Sequence, residues 1–279
     1  MASTSQQQVL DSLKSFLASG AYSDLSIKCG RDTYRVHKVI VCGRAGFFAR
    51  AIKFGGQEAQ TDQIDLPEDD PKTVKLLIQY LYEGEYDPVL PPTTPQTTTL
   101  AVVTPVKHWD TASKSLSFPH TCHMIEFRGF DGPSIYDCSN DQLCPHHRCS
   151  IDCRYRCREF SCQTCVLPNP IGPSSQLLTH AKMYELADKY EVVGLKELSK
   201  EKFSRGCKHF WDTPAFPIAA RHAFSTTPGK DNGLRCCVSQ AVATNMQLIR
   251  KPEVRALLMQ FNGLALGILD AKSKELGWA

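Results

Sequence analysis

The sequence predicts an α+β fold in which a few short strands are surrounded by helices, interrupted by a cysteine-rich insert and followed by a helical extension. Three observations lead there. Short alternating segments lie near residues 22–37 and 63–66, helical periodicity surrounds them and resumes from residue 177, and between the two blocks periodicity vanishes while eight of the thirteen cysteines gather.

The elements follow in order. Val9, Leu10, Leu13, Phe16 and Leu17 are spaced by one, three and four residues, which places them on one face of a helix over 9–19. Residues 22–29 and 33–37 flank Gly30-Arg31-Asp32, and Leu25, Ile27 and Cys29 alternate with polar residues as in a half-buried hairpin. Helical patterns cover 39–42 and 45–52, and a short strand covers 63–66. Asp70-Pro71 then offers an N-cap and a preset first helical residue, Val74, Leu77, Ile78 and Leu81 share a face, and Gly84 stops the helix. From residue 87 to about 119, Pro88, Pro91, Pro92, Pro95 and a run of threonines read as a flexible linker. A second Pro/Gly/Ser tract at 168–175 closes the insert, and helical periodicity resumes over 177–190, 193–204, 214–225, 234–245 and 252–269. This divides the chain into 1–86, an insert with its linkers at 87–175, a helical pair at 176–204 and an extension at 205–279.

Composition excludes several classes. With 42% hydrophobic and 22% charged residues the chain is that of an ordinary folded protein. A net charge of +3 is too balanced to argue for nucleic acid or an anionic membrane surface. No run reaches the roughly 18 apolar residues of a membrane span, and Asp11 and Lys14 break up the first apolar stretch, so no signal peptide is expected. The expected location is therefore the nucleus or cytoplasm, where clustered thiols serve as metal ligands more readily than as disulfides. No GxSxG, Gly-rich phosphate loop, GxGxxG or HExxH occurs, and a non-enzymatic role is expected.

A family resemblance rests on specific strings. Ser23-Asp24-Leu25-Ser26-Ile27, then Tyr34-Arg35-Val36-His37-Lys38, Phe47-Phe48-Ala49, Ile64-Asp65-Leu66 and Tyr80-Leu81-Tyr82-Glu83-Gly84 resemble the BTB/POZ signature in order and spacing. Beyond the insert, 177–190 and Gly194-Leu195-Lys196 resemble that family's closing helical pair, particularly in fungal members. The resemblance implies the BTB/POZ fold, a small mixed sheet of three strands surrounded by helices and assembled as a homodimer. It also implies a scaffolding role, either recruiting substrates to a cullin-based ubiquitin ligase or recruiting co-regulators to transcription complexes. By the same resemblance Asp24, His37 and Lys38 lie near the dimer interface, with Asp24 and Lys38 as a charged pair, and Val9, Leu10, Leu13, Phe16 and Leu17 form the apolar seam. The extension from residue 205 resembles the helices that follow such domains and can complete a cullin-binding surface.

The insert carries a separate expectation. Cys122, Cys138, Cys144, Cys149, Cys153, Cys157, Cys162 and Cys165 are interleaved with His120, His123, His146 and His147. Eight thiols suffice for two tetrahedral zinc sites, with histidine able to replace some of them, and a segment poor in aliphatic residues gains its folding free energy from such bonds. Structural Zn2+ is therefore expected here, with free thiols or disulfides as the alternatives. Only Cys162-Gln163-Thr164-Cys165 has tight CxxC spacing, so a ring-finger ligase is not inferred. Arg148, Arg154, Arg156 and Arg158 with Tyr155 and Phe160 leave as an alternative a transcription- or chromatin-associated regulator whose zinc-stabilised insert contacts nucleic acid or a protein partner. Against a phosphate-binding face, residues 87–175 hold seven Lys/Arg and eight Asp/Glu. Cys29, Cys42, Cys207, Cys236 and Cys237 stand in apolar contexts, where packing is expected.

Overall fold

The computed structural model describes residues 4–89 and 170–277. Helix α1 (Thr4–Ser19) leads into the hairpin β1 (Leu25–Cys29) and β2 (Asp32–Val36). The strands pair antiparallel with Cys29 opposite Asp32, a two-residue turn that Gly30 permits with φ of 57°. The first strand begins at Leu25 rather than 22, because Tyr22 sits at φ 62° and turns the chain before pairing can start. Helices α2 (Lys38–Arg44), α3 (Gly46–Lys53) and α4 (Gln57–Thr61) then cross over to β3 (Gln63–Asp65), which pairs parallel to β1. The sheet order is β2-β1-β3, three strands of mixed direction. Alternation along β1 puts Leu25, Ile27 and Cys29 in the core.

Helix α5 (Pro71–Glu83) follows its sequence signals closely. The Asp70 carboxylate accepts the Lys72 N–H at 3.2 Å and the Thr73 hydroxyl at 3.1 Å, and Gly84 ends the helix at φ 70°. After the insert come α6 (Gln176–Lys189), α7 (Leu195–Phe210), α8 (Ala215–Thr226) and α9 (Leu234–Thr244), then a 3-10 turn (Met246–Arg250), α10 (Pro252–Gln260) and α11 (Asn262–Leu276). Helix α7 runs through residue 205, so the border between closing pair and extension falls inside a helix. The single helix expected over 252–269 is two helices that meet at 103°. The break is at Phe261, whose backbone is extended and whose ring packs on Phe224 at 5.5 Å, while Asn262-Gly263 reopens the chain into α11. Among the described residues no single helix is long and apolar enough to cross a membrane.

Two apolar clusters fill the described residues, and α6 contributes to both. Met183, Leu186, Ala187 and Tyr190 join the sheet, α3 and α5 in the first, while Leu177, Ala181 and Tyr184 join α7 to α11 in the second. A helix buried nearly all round shows little amphipathicity, which is the case here. Tyr190 stacks on Phe48 with centroids 5.1 Å apart and planes at 12°. Around that stack the backbone is cross-linked, since Gly46 and Phe47 N–H groups donate to Glu191 and Tyr190 carbonyls and Val193 N–H donates to Arg44. The Arg50 guanidinium grips the Glu191 carboxylate with two bonds, 2.6 and 2.8 Å. The second cluster is tied down by Asp231, which accepts from the Tyr184 hydroxyl at 2.8 Å, from Gly233 N–H at 2.7 Å and pairs with Lys196 at 3.1 Å.

Burial alone would raise the Asp231 carboxyl, but the bonds from Tyr184, Gly233 and Lys196 outweigh it and hold the group below its ordinary 3.8. A folded-state value below the unfolded one stabilises the fold fully above about 3.8, and that contribution is lost as pH falls through the lower folded value. Asp231→Asn is therefore expected to lower stability at neutral pH by about 1–3 kcal/mol and to flatten its decline on acidification. Denaturant titrations between neutral and strongly acidic pH measure this, and an acid limb as steep as in the parent chain would contradict the assignment.

Candidate protein-interaction surface

Helix α1 lies along α5 with only part of its apolar face covered. Leu13 and Leu17 pack against the first core, and Lys14 reaches Glu83 at 3.4 Å. The remaining apolar positions are open, with Val9 60% and Phe16 37% exposed and Leu10 half-buried. Phe16 places its ring edge-on to Tyr22, centroids 6.0 Å apart, and at 6.1 Å from the His37 ring. Tyr22 and Val39 are themselves 86% and 83% exposed. A cleft of about 390 Å³ separates α1 from the start of α2 and the end of α5, lined by Leu10, Leu13, Val39, Ile40, Arg44 and Tyr82 among others. The result is one continuous apolar surface that joins α1, the turn before β1 and α2. Apolar patches of this kind on a folded domain mark contact sites.

The polar residues expected at this surface are distributed differently. His37 is 8% exposed and uses both ring nitrogens within its own chain. Its Nδ1 accepts from the Tyr82 hydroxyl at 2.6 Å, its Nε2–H donates to the Ala21 carbonyl at 2.7 Å, and its backbone N–H donates to the Tyr82 oxygen at 2.9 Å. No ring nitrogen is left for a partner. Asp24 is exposed and accepts the Lys38 backbone N–H at 2.7 Å, while the Lys38 ammonium goes to Asp62 at 2.5 Å. The charged pair of Lys38 is thus with Asp62, and Asp24 acts as a cap on α2. Tyr22 and Val39 do not stand out in the sequence, because periodicity marks apolar positions without saying which face is left uncovered.

Of the five cysteines outside the insert, Cys29 and Cys207 are buried and Cys42 and Cys237 half-buried, whereas Cys236 is exposed and does not pack. Burial raises the thiols of Cys29, Cys42, Cys207 and Cys237 above the ordinary range, which makes them poor nucleophiles. No group of three or more His, Cys, Asp or Glu among the described residues could hold a metal ion. The expected ligands His120, Cys122, His123, Cys138, Cys144, His146, His147, Cys149, Cys153, Cys157, Cys162 and Cys165 all lie outside the described residues.

Residues 13–103 match the BTB/POZ domain family. The chain therefore carries a BTB/POZ domain, an interaction module that commonly self-associates as a dimer. Helices α6 and α7 lie outside the matched residues. Among solved structures the chain is similar to the BTB domain of zebrafish PATZ1, with 15% identity over 31% of this chain and 70% of that one and a TM-score of 0.26. No curated protein matches.

Proposed function

We propose that this protein is a dimeric adaptor that uses its BTB/POZ domain to bring a substrate to a cullin-based ubiquitin ligase. The observation that carries the self-association part is the apolar surface of Val9, Leu10, Phe16, Tyr22 and Val39, which the described residues leave open. A second copy is the natural cover, because a twofold interface uses the same patch twice and so needs no other complementary surface. Support for the adaptor part is the way α8 to α11 share a core with α6, which makes the extension a continuation of the BTB/POZ domain rather than a tethered module. The described residues so built offer one packed surface to a scaffold. The expected setting is the nucleus or cytoplasm, and affinity capture from the native cell decides the wider role. A co-purified cullin supports the adaptor reading, and chromatin regulators without a cullin replace it with a transcriptional one.

The interface has its own test. Val9→Asp with Val39→Asp changes two exposed side chains, so the fold should survive with a thermal midpoint close to the parent's while light scattering at tens of micromolar should report a monomer instead of a dimer. A monomeric parent, or a dimer that ignores both charges, would remove this interface from consideration.

We further propose that the eight cysteines of 122–165 hold structural zinc. The support is their number and the shortage of aliphatic residues around them. Elemental analysis of reduced protein should find about one to two zinc ions per chain. Cys162→Ser with Cys165→Ser should lower that content while leaving the dimer intact. Acid should release the metal, since protons compete for the same sulfur lone pairs. Reduced protein that contains no zinc would hand the cysteines to the free-thiol or disulfide reading.

A further inference from the structure

The residues on either side of the insert are joined by buried polar side chains. Lys202, on α7, is 1% exposed, and its ammonium donates to the Tyr86 carbonyl at 2.5 Å and the Pro88 carbonyl at 2.9 Å and pairs with Glu85 at 2.5 Å. It also sits 3.8 Å from the centroid of the Tyr86 ring. All three of its protons are thereby used, which is what burying an ammonium demands. Desolvation lowers the Lys202 amine and Glu85 acts against it. Tyr86 is fully buried, and its hydroxyl meets His180 Nδ1 at 3.0 Å. His180, 2% exposed, extends a long 3.4 Å contact from Nε2 to the Gln176 side-chain oxygen. The Gln176 amide in turn donates to the Pro173 carbonyl at 3.0 Å and the Ile171 carbonyl at 3.3 Å.

The directions of these bonds agree along the whole series. Tyr86 donates to Nδ1, so the neutral imidazole carries its proton on Nε2 and donates it to Gln176, whose NH2 donates onward. Burial first, and Lys202 second, push the His180 imidazole down to about 3, so it stays neutral throughout the pH range of a cell. Residues 85–89 are the last described at the near end of the insert and 170–176 the first described at its far end. Residue 87 is where the sequence reads as a flexible linker, yet Tyr86 and Pro88 are fixed to α7.

We infer that Lys202, Tyr86, His180 and Gln176 form a clamp that fixes the two ends of the insert to each other through the scaffold. The clamp holds the chain's point of departure and its point of return on one rigid base, so rearrangement or cleavage within the insert leaves α5, α6 and α7 undisturbed. Its members act as one unit, because each bond positions the group that makes the next.

Hydrogen exchange on the full chain tests the unity of the clamp. Lys202→Met touches only the departure side, yet it should accelerate exchange at the amides of Tyr86, Asp87 and Val89 and also at Gln176 and Leu177, each by roughly tenfold or more. Amides of α9 should keep their parent rates, which separates opening of the clamp from global unfolding. Acceleration confined to 86–89 would show two independent contacts and overturn the proposal. Should Lys202→Met not fold, Tyr86→Phe removes one hydroxyl and keeps the ring under the ammonium. It should speed exchange at Gln176 and Leu177, and unchanged rates there would equally overturn the clamp.

Discussion

Helix α6 is the constraint on which the rest of the described structure depends. Its Met183, Leu186 and Ala187, with Tyr190 just past its end, complete a core begun more than a hundred residues earlier, and its Leu177, Ala181 and Tyr184 open the next one. Without it the sheet would lack a wall and the extension would lack a floor. Closing so long a loop costs little more than closing a short one, since the entropy grows only with the logarithm of length. Phe48 stacked on Tyr190, the backbone bonds around Arg44 to Val193 and the Arg50–Glu191 pair then fix the register across the insert. The exposed Arg50–Glu191 pair contributes specificity more than stability, because water screens it.

How much of this is legible in the sequence depends on whether the signal is local. The stop and start of α5 were readable because Asp70, Pro71 and Gly84 each act on the backbone next to them. The hairpin was readable for the same reason, through Gly30 and the alternation of Leu25, Ile27 and Cys29. The turn at Phe261 was not, since an unbroken helical period runs across it and what breaks it is the packing of a distant Phe224. Helix α4 and the 3-10 turn at Met246–Arg250 also escaped notice, each being too short to show a period.

The polar residues show the same division. Lys202 reads as a solvated helix position and Tyr86 as the residue before a linker, and only their meeting across 116 positions turns them into a buried cation and its cage. His37 and Lys38 were placed at a surface by their position in a family string, but their partners Tyr82, Ala21 and Asp62 lie elsewhere in the chain. The apolar stripe of α1 is legible from spacing alone. Spacing cannot tell covered from uncovered, and so Leu13 and Leu17, which the domain partly buries itself, were grouped with Val9 and Phe16, which it does not.

These features give the described residues two packed cores joined by α6 and an uncovered apolar surface next to the hairpin. Hydrophobic stabilisation scales with area removed from water, and among the described residues nothing further lies over the open face of α1. The most direct measurement is hydrogen exchange of the parent chain followed across a dilution series from tens of micromolar to well below one micromolar. Protection at residues 9–17 and 39–43 should fall on dilution while α10 and α11 stay constant. Protection that is independent of concentration in α1, or that changes in α10 and α11 instead, would contradict the account.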